Sequence, residues 1–275
     1  MFMELAEAKA GTADGSGEPH DSALLAVEGV TMRFGGVTAL EDVSFEIAKG
    51  AICGLIGPNG AGKTTLFNCI SRLYDPHTGV IRFDGRPLAS FSRHEIASLG
   101  IARTFQNVAL FATMTTRDNV RVGAHALARG GFLSNALAFP LAEREERRVA
   151  ERADALIEEF GLNAVADRPA GELPFAVRKR VELARALAIG PKLLLLDEPA
   201  AGLNHEEVDA LSEEIRAIRD RRGVAILLVE HHMNLVMRVS DQVVALDFGR
   251  VIADGSPDAV RANPDVVRAY LGSAA

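Results

Sequence analysis

The stretch Gly57-Pro58-Asn59-Gly60-Ala61-Gly62-Lys63-Thr64 decides the fold, because it fills every fixed position of the loop that wraps nucleotide phosphates. In that pattern backbone N–H groups surround the phosphates, Lys63 reaches the outer phosphate oxygens, and the Thr64 hydroxyl can ligate magnesium. An aliphatic segment, 51–56, precedes the loop, and a helix-compatible segment, 62–73, follows it. Strand, loop and helix is the order that phosphate binding requires. The predicted nucleotide site comprises these eight residues and the adjacent Thr65.

Two carboxylates, Asp197-Glu198, follow a run of four leucines at 193–196. This places them at the C-terminal end of a buried strand, beside the phosphate loop of an α/β fold. Asp197 would hold the metal through water, and Glu198 would orient or deprotonate the attacking water. An Asp-Glu pair is often only a strand end or a helix cap. The phosphate loop upstream favours the catalytic interpretation.

The chain alternates between strand-like and helix-like segments. Short apolar alternations before the phosphate loop, broken by Gly35-Gly36, indicate strands, and the aliphatic runs 193–196 and 224–229 indicate buried parallel strands. Alanine, arginine and glutamate at helical spacing fill the middle third. We predict an α/β fold with a flexible tail at 1–22, a nucleotide-binding core at 23–106 and 191–275, and a helical subdomain at 107–190.

Composition and charge narrow the possible partners. The net charge of −7 and the pI of about 5.6 provide no overall positive field, which argues against nucleic acid. The apolar runs fall far short of the roughly 18 residues that span a bilayer. The segment 1–10 has neither a basic start nor an apolar stretch, so we expect no secretory signal and a cytosolic protein.

From about Leu24 onward the chain resembles an ABC-transporter ATPase, since several motifs agree in order and spacing. The resemblance implies a P-loop core with a mostly parallel sheet, a small antiparallel β subdomain and an inserted helical subdomain. It also implies that Phe34 stacks on adenine, although a lone phenylalanine is more often part of a core. Gln106 would contact magnesium and couple the site to a membrane subunit. His231 would contact the γ-phosphate as the switch histidine.

The resemblance extends to a loop that crosses to the opposite subunit when two ATPases close around ATP. This D-loop comprises Ala201, Gly202, Leu203 and Asn204. Asn204 stands where many family members have aspartate. ATP and Mg²⁺ are the implied cofactors.

The signature segment departs from the family pattern. Leu173-Pro174-Phe175-Ala176-Val177 stands where the family has Leu-Ser-Gly-Gly-Gln, and a helix over 178–187 is expected to follow. Pro174 offers neither a serine hydroxyl nor a backbone N–H, so the helix N-terminus and the N–H groups of Ala176 and Val177 remain. In family geometry this segment acts on ATP held by the other subunit. We therefore hypothesise weaker chemistry at the partner's site and a competent site in this chain.

Within the family, the chain resembles the longer ATPase subunit of branched-chain amino acid importers. The resemblance implies import of branched-chain amino acids or related small solutes, since similar ATPases serve urea, short amides or aromatic acids. The supporting features are the segment 104–113 and the long insertion that follows it to about Phe160. Three further segments, 200–204, 229–233 and 263–272, also support the resemblance. The resemblance implies integral-membrane permeases, a second ATPase subunit that is the same or a different chain, and indirectly a substrate-binding protein. The expected location is the cytoplasmic face of the inner or plasma membrane.

Three alternatives remain open at this point. A lipopolysaccharide-type export ATPase is disfavoured by the extra helical residues between Gln106 and Leu173. A soluble ABC ATPase acting on ribosomes or DNA usually has two ATPase units or a long coiled coil, and neither is present. A small-molecule kinase shares the phosphate loop, but Gln106, Asp197-Glu198 and His231 argue against it.

Overall fold

The computed structural model describes residues 23–104, 108–125 and 139–272. The predicted tail at 1–22 and Gln106 lie outside these residues. The bounds of the predicted core and helical subdomain therefore stay predictions. The elements below follow chain order.

An antiparallel sheet occupies the N-terminal part of the described chain. Its strand order is β2-β1-β4-β5, and the β1–β2 turn falls at the predicted Gly35-Gly36. The consecutive residues Leu24 to Val27 of β1 are all buried, so this part of the strand is covered on both faces. The strands are β1 (Ala23–Phe34), β2 (Val37–Ala48), β4 (Thr78–Phe83) and β5 (Arg86–Pro87).

A second sheet of six strands forms the centre, in the order β10-β9-β3-β8-β7-β6. All neighbouring pairs are parallel except β10 with β9. The carboxyl ends of β3, β8, β7 and β6 therefore meet at one edge, where ligands bind in such sheets. The strands are β3 (Ile52–Ile56), β6 (Ile101–Arg103), β7 (Leu193–Asp197), β8 (Ala225–Val229), β9 (Gln242–Asp247) and β10 (Arg250–Gly255).

Helices cover the central sheet and form the predicted helical region. The helices are α1 (Lys63–Ile70), α2 (Ile96–Leu99), α3 (Thr116–His125), α4 (Phe139–Glu159), α5 (Phe175–Leu187), α6 (His205–Arg222), α7 (Met233–Val239), α8 (Pro257–Ala262) and α9 (Pro264–Gly272). The α3, α4 and α5 helices contact one another. None of the helices in the described part of the chain is long and apolar enough to cross a bilayer.

Two helix boundaries differ from the sequence expectation. The α5 helix begins at Phe175 rather than at residue 178, with Pro174 as its N-cap residue. A fixed proline φ suits a helix start, which explains why the helix reaches back to the signature segment. The α1 helix ends at Ile70 rather than at 73, because Arg72 adopts a positive φ of 58°.

The central strands divide the core into two halves. Leu194 and Leu196 of β7 face a cluster that includes side chains of α3 to α7, whereas Leu193 and Leu195 face α1 and the antiparallel sheet. All four are fully buried, which accounts for their unbroken apolar run. Burial on both faces holds the strand ends, and hence the polar residues that follow them, in place.

Candidate functional site

The phosphate loop lies between β3 and α1, as the sequence predicts. Gly57 has a φ of 150°, and a Cβ there would lie 2.2 Å from the carbonyl oxygen of Leu246. Only glycine tolerates that approach. Lys63 folds back over the loop, and its Nζ donates to the carbonyl oxygens of Gly57 at 2.6 Å and Pro58 at 2.9 Å. Thr64 is exposed at the start of α1, where its hydroxyl is accessible.

Lys63 is an almost fully buried cation, only 6% exposed. Burial lowers the pKa of its ammonium group, while the carboxylates of Glu198 and Asp197 act in the opposite direction. The three groups thus share one electrostatic environment. Phosphate oxygens of a bound nucleotide are the charge that such a lysine neutralises.

The C-terminal helix supports the phosphate loop through a contact that the motif does not reveal. The backbone N–H of Gly57 donates to the hydroxyl of Tyr270 on α9 at 2.8 Å. Burial raises the pKa of Tyr270, and the Gly57 N–H partly offsets that shift. Sequence analysis singled out the segment around Tyr270 only as a family feature, and nothing in it pointed to the loop.

Asp197 is paired with a buried arginine that sequence analysis missed. Arg103 Nη2 lies 2.9 Å from Asp197 Oδ2, and both side chains are close to fully buried. The second guanidinium nitrogen, Nη1, donates to Asn68 Oδ1 at 2.8 Å and Ser71 Oγ at 3.1 Å. The only available signal was the position of Arg103 in the short apolar segment before Gln106.

Glu198 and His231 meet at the carboxyl ends of β7 and β8. His231 Nε2 lies 2.7 Å from Glu198 Oε1, and the Glu198 N–H donates to the Val229 carbonyl at 2.9 Å. Glu198 has a φ of 48°, in the left-handed region that residues with a Cβ rarely adopt. Strain of this kind persists only where the surroundings hold it, and it clusters at functional sites.

The remaining predicted residues lie around this centre. Phe34 is 43% exposed at the end of β1 and packs edge-to-face on Tyr74, with ring centroids 5.3 Å apart. Its face is thus accessible for stacking, which stays a prediction. Asn204 serves as the N-cap of α6, where its side chain accepts the Glu207 N–H at 3.0 Å.

The signature segment packs against the D-loop of the same chain. A Cβ added to Gly202 would lie 3.0 Å from the Phe175 ring, and the cationic groups of Arg178 and Lys179 each lie 5.5 Å from the ring centroid. Pro174 makes no side-chain cap to α5. The segment therefore presents the start of a helix, without a serine hydroxyl.

The available ligands suit a magnesium ion that arrives with the nucleotide. Within the described ranges, no three His, Cys, Asp or Glu side chains are grouped to hold a metal. Mg²⁺ is usually held by one or two protein groups together with waters and substrate phosphates. The Thr64 hydroxyl and the Asp197 carboxylate, acting through water, fit that donor set.

A phosphate loop with two carboxylates and a histidine at neighbouring parallel strand ends defines a P-loop nucleoside triphosphatase. Residues 40–201 match the ABC transporter family, and residues 250–275 match a second family described as branched-chain amino acid ATP-binding cassette transporter. The chain therefore belongs to the ABC transporter family. It is an ATP-binding and ATP-hydrolysing subunit.

Relatives support this assignment over nearly the whole chain. The high-affinity branched-chain amino acid transport ATP-binding protein BraF of Pseudomonas aeruginosa is 44% identical over 251 residues, covering 91% of this chain and 98% of the relative. The high-affinity branched-chain amino acid transport ATP-binding protein LivG of Escherichia coli is 43% identical with the same coverage. A crystal structure of an ATP-binding cassette of an ABC transporter in its ADP conformation has a TM-score of 0.78 and 31% identity, covering 91% of this chain and 99% of that one.

Proposed function

We propose that Glu198 and His231 carry the hydrolytic step of ATP turnover in this chain. The observation that supports this most directly is the 2.7 Å contact between His231 Nε2 and Glu198 Oε1 beside the phosphate loop. Glu198 orients the attacking water and accepts its proton. His231 holds Glu198 and contacts the γ-phosphate oxygens.

The other residues of the site bind and neutralise the phosphates. Lys63 and the N–H groups of the loop hold the β- and γ-phosphates, and Phe34 stacks on the adenine ring. Thr64 and Asp197, together with Gln106, hold Mg²⁺, which neutralises phosphate charge when bound. Catalysis is then mainly positioning and charge stabilisation.

The test is the Glu198→Gln variant, which keeps the side-chain volume and removes the base. We expect MgATP binding within about twofold of the wild type and a turnover lower by about 100-fold or more. Glu95→Gln is the matched control, since Glu95 is exposed and lies outside the site. A Glu198→Gln protein that hydrolyses ATP at the wild-type rate would refute the assignment.

The transported solute is proposed to be a branched-chain amino acid. The names of the relatives and the match of residues 250–275 support an importer, rather than a lipopolysaccharide exporter. The chain would then work at the cytoplasmic face of the membrane with integral-membrane permeases, a second ATPase subunit and, indirectly, a substrate-binding protein. The test is ATP-dependent uptake of labelled leucine into vesicles carrying the assembled transporter, with urea as the comparison solute. Uptake of urea but not leucine would contradict this proposal.

The identity of the second ATPase is addressed with the same Glu198→Gln variant. Purified alone with MgATP, it is analysed by size-exclusion chromatography, and bound nucleotide is quantified. A dimer that retains ATP supports two identical copies and a signature segment that still clamps nucleotide. A monomer that binds ATP indicates a different ATPase chain or a need for the permeases.

A further inference from the structure

Glu230 is a buried carboxylate at the centre of the site, and the sequence marked it only as part of the family segment 229–233. It follows β8 directly, precedes His231, and is 1% exposed. Three backbone N–H groups donate to it: Ala200 at 2.6 Å to Oε1, and His231 at 2.8 Å and His232 at 3.2 Å to Oε2. These three hydrogen bonds fix the carboxylate relative to the backbone around it.

The three donors belong to two different strand ends. Ala200 lies two residues after Glu198 and leads into the D-loop, whereas His231 and His232 precede α7. One carboxylate therefore joins the segment after β7 to the segment after β8. The Glu198 side chain can reach His231 only if both segments keep their relative position.

A nearby cation balances the negative charge of this cluster. Lys179 of α5 is 6% exposed, and its Nζ donates to the Glu198 carbonyl at 3.5 Å. Burial lowers the pKa of Lys179, while Glu182 and then Glu230 act in the opposite direction. Glu230 thus lies where the signature helix, the D-loop and the switch histidine converge.

We propose that Glu230 is a positioning residue that holds His231 against Glu198 and links the switch histidine to the D-loop. The inference rests on the proposed function of Glu198 and His231. Glu230 acts through the backbone N–H groups that it accepts from, and not as a catalytic group. Its carboxylate fixes the backbone position of His231 through the His231 N–H. Because the Ala200 N–H donates to the same carboxylate, a displacement of Ala200 would move that carboxylate as well.

The test measures steady-state hydrolysis of MgATP by the full-length Glu230→Gln protein. A glutamine retains one acceptor oxygen but turns an NH₂ group toward backbone donors, so the N–H groups lose an acceptor. We expect kcat to fall on the order of tenfold and KM for ATP to stay within about twofold. Glu95→Gln is the control, because Glu95 also accepts a backbone N–H, from Ser92 at 2.8 Å, but is exposed.

A double-mutant cycle separates positioning from a purely structural role. Because Glu230 acts through His231, Glu230→Gln should reduce kcat by less than about twofold in a His231→Ala background. Equal losses in both backgrounds, or an unchanged kcat in the single variant, would overturn the proposal. If Glu230→Gln does not fold, as judged by circular dichroism, Glu230→Asp is measured in the same cycle with the same criteria. An unchanged turnover in Glu198→Gln would refute the proposed function instead, so the two failures are distinguishable.

Discussion

Tyr270→Phe removes one hydroxyl and tests whether the C-terminal helix holds the phosphate loop. In the wild type, the Gly57 N–H donates to that hydroxyl at 2.8 Å. Gly57 is buried and begins the loop. The substitution keeps the aromatic ring and leaves the N–H without this acceptor.

The expected cost follows from the burial of Gly57. A buried N–H that loses its partner costs about 1–3 kcal/mol. At roughly 2–4 °C per kcal/mol for a chain of this size, the melting temperature should fall by about 2–12 °C. If about 1 kcal/mol of that loss comes from a less ordered phosphate loop, which nucleotide binding must then order, nucleotide affinity falls about fivefold.

The assay combines thermal unfolding with a fluorescent-nucleotide titration of the purified chain. Tyr74→Phe is the matched control, since it removes the same group from the only other tyrosine, which is 37% exposed. Its melting temperature should not change. An unchanged melting temperature and nucleotide Kd in Tyr270→Phe would refute the reasoning.

Three further predictions follow from individual contacts. Restoring Pro174→Ser together with Ala176→Gly should raise ATP turnover in the assembled transporter severalfold; an unchanged rate would mean that the remaining donors suffice. Arg103→Leu leaves the Asp197 carboxylate buried without its paired cation and should lower the free energy of unfolding by about 3–5 kcal/mol. The measurement is urea unfolding, and an unshifted midpoint would contradict this prediction. Burial raises the pKa of Glu214 on α6, so its ionisation opposes folding as pH rises through the folded-state pKa. Glu214→Gln should therefore raise the melting temperature relative to the wild type more at pH 7 than at pH 4. A difference that does not depend on pH would contradict the raised pKa of Glu214.

Local motifs made much of the site predictable. The phosphate loop is eight contiguous residues, and its strand and helix are its immediate neighbours in sequence. Asp197-Glu198 follows a run of leucines whose burial on both faces is confirmed. Such features are readable because the residues that determine the backbone are adjacent in the chain.

The start of the α5 helix was harder to predict from the sequence. The α5 helix begins at Phe175, because Pro174 can precede a helix without losing a hydrogen bond. Pro174 lacks a hydroxyl and an N–H for phosphate, but its ring fits the first turn of a helix. The expected start at residue 178 was therefore wrong, and the N-terminus of α5 lies within the signature segment.

By itself, the sequence determined the α/β class, the nucleotide loop and the order of the proposed catalytic motifs, because each depends on neighbouring residues and on a short hydrophobic period. Only the tertiary structure decided the partners of those motifs. Arg103 reaches Asp197 across 94 positions, Tyr270 reaches Gly57 across 213, and Glu230 reaches Ala200 across 30. The Arg103 and Glu230 contacts depend on the order of strands in the central sheet, which brings distant strand ends to one edge, and the Tyr270 contact depends on where α9 packs; no local pattern encodes either.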